Sequence, residues 1–257
     1  MYPYINFLGR QIPSFGLMMV LGILISTTIA GVLAKKKNLS IDDLIIIVTL
    51  CMSFALVGAK LVYIGVTFSW HQLVHLIQTG NSHVLLGSGL VFYGGLIGGL
   101  VGLYVCHKFF KIEVLSFETV IIPLVPLGHA IGRVGCFLAG CCRGRIYAGF
   151  FAVTYPETSL SQDLGHSHHS YFPIQLLESF FNVAIFLILM VYVKRKPKPY
   201  RTLLLYIGLY SVVRFLLEFY RGDDVRGLYG FFSTSQWIAI VLMGLVLLAY
   251  KFIKNKT

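Results

Sequence analysis

Seven stretches of this chain, about residues 15–34, 44–68, 87–106, 114–139, 172–193, 202–220 and 232–250, are mostly apolar. Each is as long as the roughly 20 residues a helix needs to cross about 30 Å of hydrocarbon. With no water in a bilayer core to satisfy backbone polar groups, a run of this length has one spanning form open to it, the α-helix. Composition agrees, because 57% of the 257 residues are hydrophobic and 12% charged, with a mean hydropathy of +0.80. A water-soluble domain carries about twice that charged fraction. The reading is an all-α integral membrane protein of about seven transmembrane helices. It forms a single membrane domain over residues 1–257, with no repeat and no second domain. The net charge of +11 then reflects membrane orientation, and no nucleic-acid partner is expected.

Basic residues near helix ends accumulate on the cytoplasmic side. The connections after spans one, three, five and seven hold thirteen Lys and Arg, the alternate set holds five, and Lys60, Arg133 and Arg214 lie within spans. The N-terminus is therefore expected outside and the C-terminus in the cytoplasm. The run Lys35-Lys36-Lys37 follows the first span instead of preceding it, so that span reads as a retained helix and not as a cleaved signal. The long connection at about 140–171 falls outside and is expected to form a small external cap. Its His166, His168 and His169 lack a supporting carboxylate motif and read as solvent-exposed, with no metal expected.

Charges inside a span are costly, about 2.5–3.5 kcal/mol each on insertion scales, and need a partner, a wet cavity or a task. On span four, His129, Arg133 and Cys136 stand at i, i+4 and i+7, one helix face. On span six, Tyr210, Arg214, Glu218 and Arg221 repeat that spacing, and span two adds Lys60. The orientation puts these groups in the outer half of the bilayer, on faces able to converge on an anionic head group. The alternative is that Arg214 pairs with Glu218 along its own helix and that Arg133 extends toward the interface.

Glycines gather near the same level. Gly94/Gly98, Gly95/Gly99 and Gly128/Gly132 are pairs of small residues four apart, the pattern of close helix packing in membranes. For Gly94 and Gly95 a second reading is close approach of a lipid head group to the backbone.

The segment from Gly132-Arg133-Val134-Gly135-Cys136-Phe137 through Gly140-Cys141-Cys142-Arg143-Gly144-Arg145 resembles the signature of the bacterial prolipoprotein diacylglyceryl transferase family. The resemblance extends to Phe15-Gly16-Leu17-Met18, the run from Gly94 to Gly98 and Pro123-Leu124-Val125-Pro126. It continues through Phe172-Pro173-Ile174-Gln175-Leu176 with Glu178, and Tyr210 through Arg214 to Glu218 and Arg221. It implies transfer of the diacylglyceryl group of phosphatidylglycerol to the lipobox cysteine of a preprolipoprotein, releasing glycerol phosphate, in the bacterial cytoplasmic membrane. The catalytic set it implies is Arg133, Arg214, Tyr93, Tyr210 and Glu218. Substrate binding would fall to Gly94, Gly95, His129, Cys136, Cys141, Arg143, Gly144, Gln175 and Arg221. No cofactor and a monomer are expected. Arg133 and Arg214 would hold the donor phosphodiester and offset charge on the departing phosphate, while Glu218 orients Arg214.

Several positions depart from the family pattern. Tyr93 stands where the family has His, Cys136 and Ala139 where it has Asn, Cys141 where it has Glu, and Phe172 where it has His. A tyrosine, with an ordinary pKa near 10, is a weaker base at neutral pH than histidine. His129, one turn before Arg133, is the substitute base, or else a packing histidine. Cys136, Cys141 and Cys142 read as small helix residues, as a Cys136–Cys141 disulfide or as a nucleophile. These departures keep two other functions open: a transferase using the same donor with a different acceptor, and a non-catalytic phospholipid-binding or translocating protein.

Overall fold

The computed structural model describes residues 2–7, 9–79, 89, 91–155, 169–222 and 228–255. Of Phe7, Trp70, Ile77, Phe92, Tyr93, Leu228, Tyr229 and 253–255 it describes the backbone alone. The chain divides into two compact units, Met1–Val32 with Glu118–Thr257, and Leu33–Phe117.

The first unit opens on a hairpin, β1 (Tyr4–Phe7) paired antiparallel with β2 (Arg10–Pro13). Gly9 takes φ +77° in its turn, a conformation glycine adopts without steric cost. Ser14 fastens the hairpin to helix α1 (Ser14–Lys36), since its N–H and Oγ both donate to the Pro3 carbonyl, at 2.9 and 3.0 Å.

The fourth expected span, 114–139, is broken. A 3-10 turn (Val114–Phe117) leads into α5 (Glu118–Ile121), and after a bend of 50° the chain resumes as α6 (Leu124–Ala139). Pro123 stands at the head of α6 and Pro126 in its first turn, positions where proline's missing N–H and fixed φ end one helix and start the next. Gly128, Gly132 and Gly135 form a stripe of α6 lying on α1. A Cβ at Gly128 would meet Ser26 Oγ at 3.3 Å, at Gly132 Met19 Sδ at 3.2 Å, and at Gly135 Met18 Cβ at 2.9 Å. Small residues thus bring the two helices together, as expected of packing without a hydrophobic driving force between helices.

Helices α7 (Ile174–Val193), α8 (Arg201–Leu217) and α9 (Thr234–Asn255) complete this unit, with α7 packed on α6 and α8, and α8 on α9. The start of α8 depends on a buried acid from α5. Glu118 Oε2 accepts from the Tyr200 N–H at 2.7 Å and Oε1 from the Leu203 N–H at 3.0 Å, satisfying two donors that a helix N-terminus leaves open. Beyond Leu217, α8 tightens into a 3-10 turn (Glu218–Tyr220). Two more hairpins decorate the connections, β3 (Val153–Thr154) with β4 (Ser170–Tyr171), and β5 (Leu228–Tyr229) with β6 (Phe232–Ser233). Of the expected external cap, residues 156–168, with His166 and His168, lie outside the described residues.

The second unit carries α2 (Ile41–Thr67), α3 (Trp70–Gln78) and α4 (Phe92–Phe109). Ser40 caps α2, accepting from the Asp43 N–H at 3.2 Å, and Asp42 and Asp43 sit in its positive first turn. Helix α3 was not anticipated, although Ser69 and Gln72 spell a capping box. Gln72 Oε1 accepts from the Ser69 N–H at 2.9 Å and Ser69 Oγ from the Gln72 N–H at 3.4 Å. Along α4, Gly94, Gly98 and Gly102 face α2: Cβ atoms there would collide with the Gly58 carbonyl, the Phe54 carbonyl and Cys51 Cα. Among the described residues, five helices are long and apolar enough to span a membrane, six if the bent pair Val114–Ile121 with Leu124–Ala139 counts as one. The expected span at 87–106 appears as α4, whose apolar run is shorter.

Candidate active site

The site is built from the second half of α6, the first two turns of α7 and the end of α8. On α7 the sequence places Gln175, Glu178 and Asn182 in the buried face of an otherwise apolar helix. Glu178 is 1% exposed and stands at the centre. Its Oε1 lies 2.9 Å from Arg133 Nη2 and 3.5 Å from His129 Nε2, and its Oε2 lies 3.7 Å from Arg221 Nη1. One carboxylate therefore gathers a guanidinium from α6, an imidazole one turn earlier on α6, and a guanidinium from just past α8.

A second ion pair lies along α8 itself. Arg214 Nη1 contacts Glu218 Oε2 at 2.6 Å, and Arg214 Nη2 donates to Ser235 Oγ at 3.0 Å. Ser233 Oγ donates to the other Glu218 oxygen at 2.7 Å, so two serines at the start of α9 hold both partners. The Tyr210 ring lies tilted by 49° against His129, with ring centroids 5.7 Å apart.

The expected Arg214–Glu218 pair is present, and the idea that Arg133 merely extends toward the interface gives way to a buried ion pair with Glu178. Among the described residues, three guanidiniums, Arg133, Arg214 and Arg221, meet two carboxylates, Glu178 and Glu218. Arg133 Nε is buried and makes no hydrogen bond. A guanidinium in a low-dielectric site is stabilised by an anionic ligand able to accept charge-assisted bonds.

The segment after α6 closes one side. Gly144 N–H donates to the Phe172 carbonyl at 3.2 Å, Arg145 N–H to the Tyr220 carbonyl at 3.0 Å, and Phe172 N–H to the Arg145 carbonyl at 3.0 Å. This short ladder ties the start of α7 to the end of α8. A Cβ at Gly144 would strike the Phe172 carbonyl, which gives that glycine a packing reason. Gln175 Nε2 donates to the Cys141 carbonyl at 2.7 Å, and Gln175 also shares a hydrogen bond with the Tyr155 hydroxyl. Burial raises the Tyr155 phenol above its ordinary pKa. Arg143 stacks its guanidinium on Tyr171 at 4.4 Å and Tyr155 at 5.7 Å, and Arg145 on Tyr220 at 5.0 Å.

Of the residues singled out in the sequence, His129, Arg133, Tyr210, Arg214, Glu218 and Arg221 come together, with Cys136 beside Arg133, where Arg133 Nη1 stands 3.9 Å from its Sγ. All five cysteines are free thiols, so the Cys136–Cys141 disulfide is not formed. Gly94, Gly95 and Lys60 belong to the other unit. There Lys60 Nζ stands 5.3 Å from the Tyr63 ring, and the missing side chain at Gly94 is accounted for by α2 packing. Tyr93 lies on α4, and its side chain is outside the described residues. Sequence reasoning gave no role of its own to Glu178, the hub, nor to Ser233 and Ser235. For Glu178 the signal was there, since an acid inside an apolar helix is as costly as the arginines that drew notice.

Fold and cluster together define an integral membrane protein with an arginine–glutamate ion-pair network held between its apolar helices. A family model described as prolipoprotein diacylglyceryl transferase matches residues 3–250, and the chain belongs to that family. Similar curated proteins are bacterial. Phosphatidylglycerol–prolipoprotein diacylglyceryl transferase 2 of Clostridium perfringens is 32% identical over 243 residues, covering 93% of this chain and 91% of the relative. The phosphatidylglycerol–prolipoprotein diacylglyceryl transferase of Clostridium tetani is 32% identical over 232 residues, 90% of this chain and 89% of the relative. That of Clostridioides difficile is 30% identical over 251 residues, 96% and 94%.

Proposed function

We propose that this chain transfers the diacylglyceryl group of phosphatidylglycerol to the lipobox cysteine thiol of a preprolipoprotein. The observation that carries the reading is the convergence of the Arg133 and Arg214 guanidiniums, held by Glu178 and Glu218, in helices otherwise apolar. A lipid phosphodiester is the anion that such a site meets inside a membrane. Arg133 and Arg214 bind its oxygens; Glu178 and Glu218 fix the two guanidiniums so that little reorganisation is needed when charge develops. The acceptor sulfur forms a bond to the glyceryl carbon, the carbon–oxygen bond to phosphate breaks, and the electron pair leaves on glycerol phosphate. The thiol proton goes to His129, which Glu178 and Tyr210 hold in place, whereas a phenol at Tyr93 is the weaker base. Arg143, Arg145 and Gln175 line the acceptor's approach beside the Gly144 ladder.

Seven spans in a single membrane domain, an outside N-terminus, a cytoplasmic C-terminus and a monomer working in the bacterial cytoplasmic membrane complete the proposal. The charge bias of the connections supports this orientation, which turns the site toward the outer leaflet, where secreted precursors emerge.

Cells depleted of their own transferase provide the test. The parent chain is expected to restore lipoprotein lipidation, and Arg133→Ala and Arg214→Ala, at equal membrane abundance, are expected not to. A parent chain that fails to restore lipidation while still consuming phosphatidylglycerol would favour a different acceptor, a reading motivated by Tyr93, Cys136 and Cys141 in place of the family's His, Asn and Glu. Bound donor without consumption would make the chain a phospholipid-binding or translocating protein.

A further inference from the structure

The turn after α6 assembles a feature that the transferase reading does not use. The Sγ atoms of Cys136, Cys141 and Cys142 all lie within 4.8 Å of one another. Their spacing in sequence is not a zinc-finger spacing, so the cluster is a product of the fold. Cys136 is in the last turn of α6, and Gly140, with φ +72°, reverses the chain so that the Cys141 N–H donates back to the Cys136 carbonyl at 3.1 Å. Cys142 takes φ +56°, a left-handed conformation unusual for a residue with a side chain, and Gln175 anchors the Cys141 carbonyl. Backbone held in a sparsely populated conformation persists where its surroundings enforce it, and such positions gather at ligand-holding sites.

We propose that Cys136, Cys141 and Cys142 form a binding site for one thiophilic d10 cation, Zn(II) or Cu(I), with three thiolate ligands. Metal–sulfur bonds of about 2.3 Å place the sulfurs about 3.8 Å apart in tetrahedral geometry, so the present cluster needs a contraction of about 1 Å at most. No His, Asp or Glu among the described residues joins the group, which leaves the remaining coordination position to an external ligand. Soft thiolates select such ions over Mg(II) or Ca(II). Binding forms three metal–sulfur bonds and releases up to three protons to solvent, with no change in oxidation state. Arg133, whose Nη1 stands 3.9 Å from Cys136 Sγ, offsets the negative charge of the thiolate complex. The cluster shares Arg133 with the proposed donor site, and its test reads metal binding and thiol protection instead of lipid transfer, so the two readings can fail separately.

The test uses the full chain in detergent, reduced and stripped with a chelator, then titrated separately with Zn(II), Cd(II) as its spectroscopic substitute, and Cu(I). The expected result is one equivalent bound, an ultraviolet thiolate-to-Cd charge-transfer band, and protection of Cys136, Cys141 and Cys142 from alkylation, read by peptide mass spectrometry. Cys141→Ser and Cys142→Ser should each lose the band, while Cys51→Ser keeps it, and matching gel-filtration profiles separate lost binding from lost folding. Should a Cys variant aggregate, the alkylation pattern of the parent chain decides. No saturable equivalent in the reduced parent, or protection confined to Cys51 and Cys106, overturns the proposal. So does a reduced cluster whose alkylation is indifferent to all three ions.

Discussion

Glu178 sits among three basic side chains. Its two oxygens face Arg133, His129 and Arg221 from a position 1% exposed, so removing its charge takes the paired carboxylate from Arg133 in a low-dielectric site. Breaking a buried pair from one side costs about 3–5 kcal/mol. Glu178→Ala is expected to lower stability by about that much, measured by thermal unfolding in detergent, and Glu178→Gln by less because shape is kept. Arg214 makes a geometric demand as well as a charge demand, with one nitrogen on Glu218 and another on Ser235. Arg214→Lys cannot reproduce this fork. Its kcat/KM is expected to fall about 10²–10³-fold, the range for loss of one preorganised charge-stabilising donor, in an assay of donor consumption. Near-parental turnover of Arg214→Lys would mean that the fork is not used in the transition state.

At the scale of elements, the spans rest on small residues and on borrowed caps. Glu118 acts from α5 on the first turn of α8. Glu118→Ala is expected to cost about 1 kcal/mol, seen as a lower unfolding midpoint, with the strongest effect on amide exchange at the start of α8. Gly98 faces the Phe54 carbonyl across the α2–α4 contact. Gly98→Leu should destabilise by about 1–3 kcal/mol through overpacking, whereas Gly99, with open space around it, should tolerate alanine. Hydropathy located α1, α2, α7, α8 and α9 because a membrane-spanning helix needs only length and apolar character. It was blind to the break in the fourth span, since Pro123 and Pro126 are apolar enough to pass a hydropathy window while ending a helix. It was also blind to α3, whose Ser69-x-x-Gln72 capping box is a local signal that a search for long apolar runs passes over. The basic half of the site was legible because arginine in a span stands out. Its acidic half was read less well: Glu218 shares a helix with Arg214, but Glu178 meets Arg133 and His129 only through the packing of α7 on α6. The thiol cluster needed the left-handed turns at Gly140 and Cys142, which no spacing rule encodes.

For the whole molecule, orientation and chemistry are linked. The proposed cytoplasmic C-terminus predicts that a fluorescent reporter fused there fluoresces and that an alkaline phosphatase fusion at the same point is inactive; the reverse pattern would turn the site to the wrong leaflet for secreted precursors. The proposed chemistry depends on the arginine cluster between α6, α7 and α8 acting on a lipid phosphodiester. The most direct measurement is turnover by purified protein given phosphatidylglycerol labelled in its glycerol head and a lipobox peptide, with mass spectrometry of both products. The account predicts a peptide carrying a thioether-linked diacylglyceryl group and labelled glycerol phosphate in equal amounts, both lost in Arg133→Ala. Unmodified peptide and intact donor from a folded, membrane-derived parent chain would contradict it.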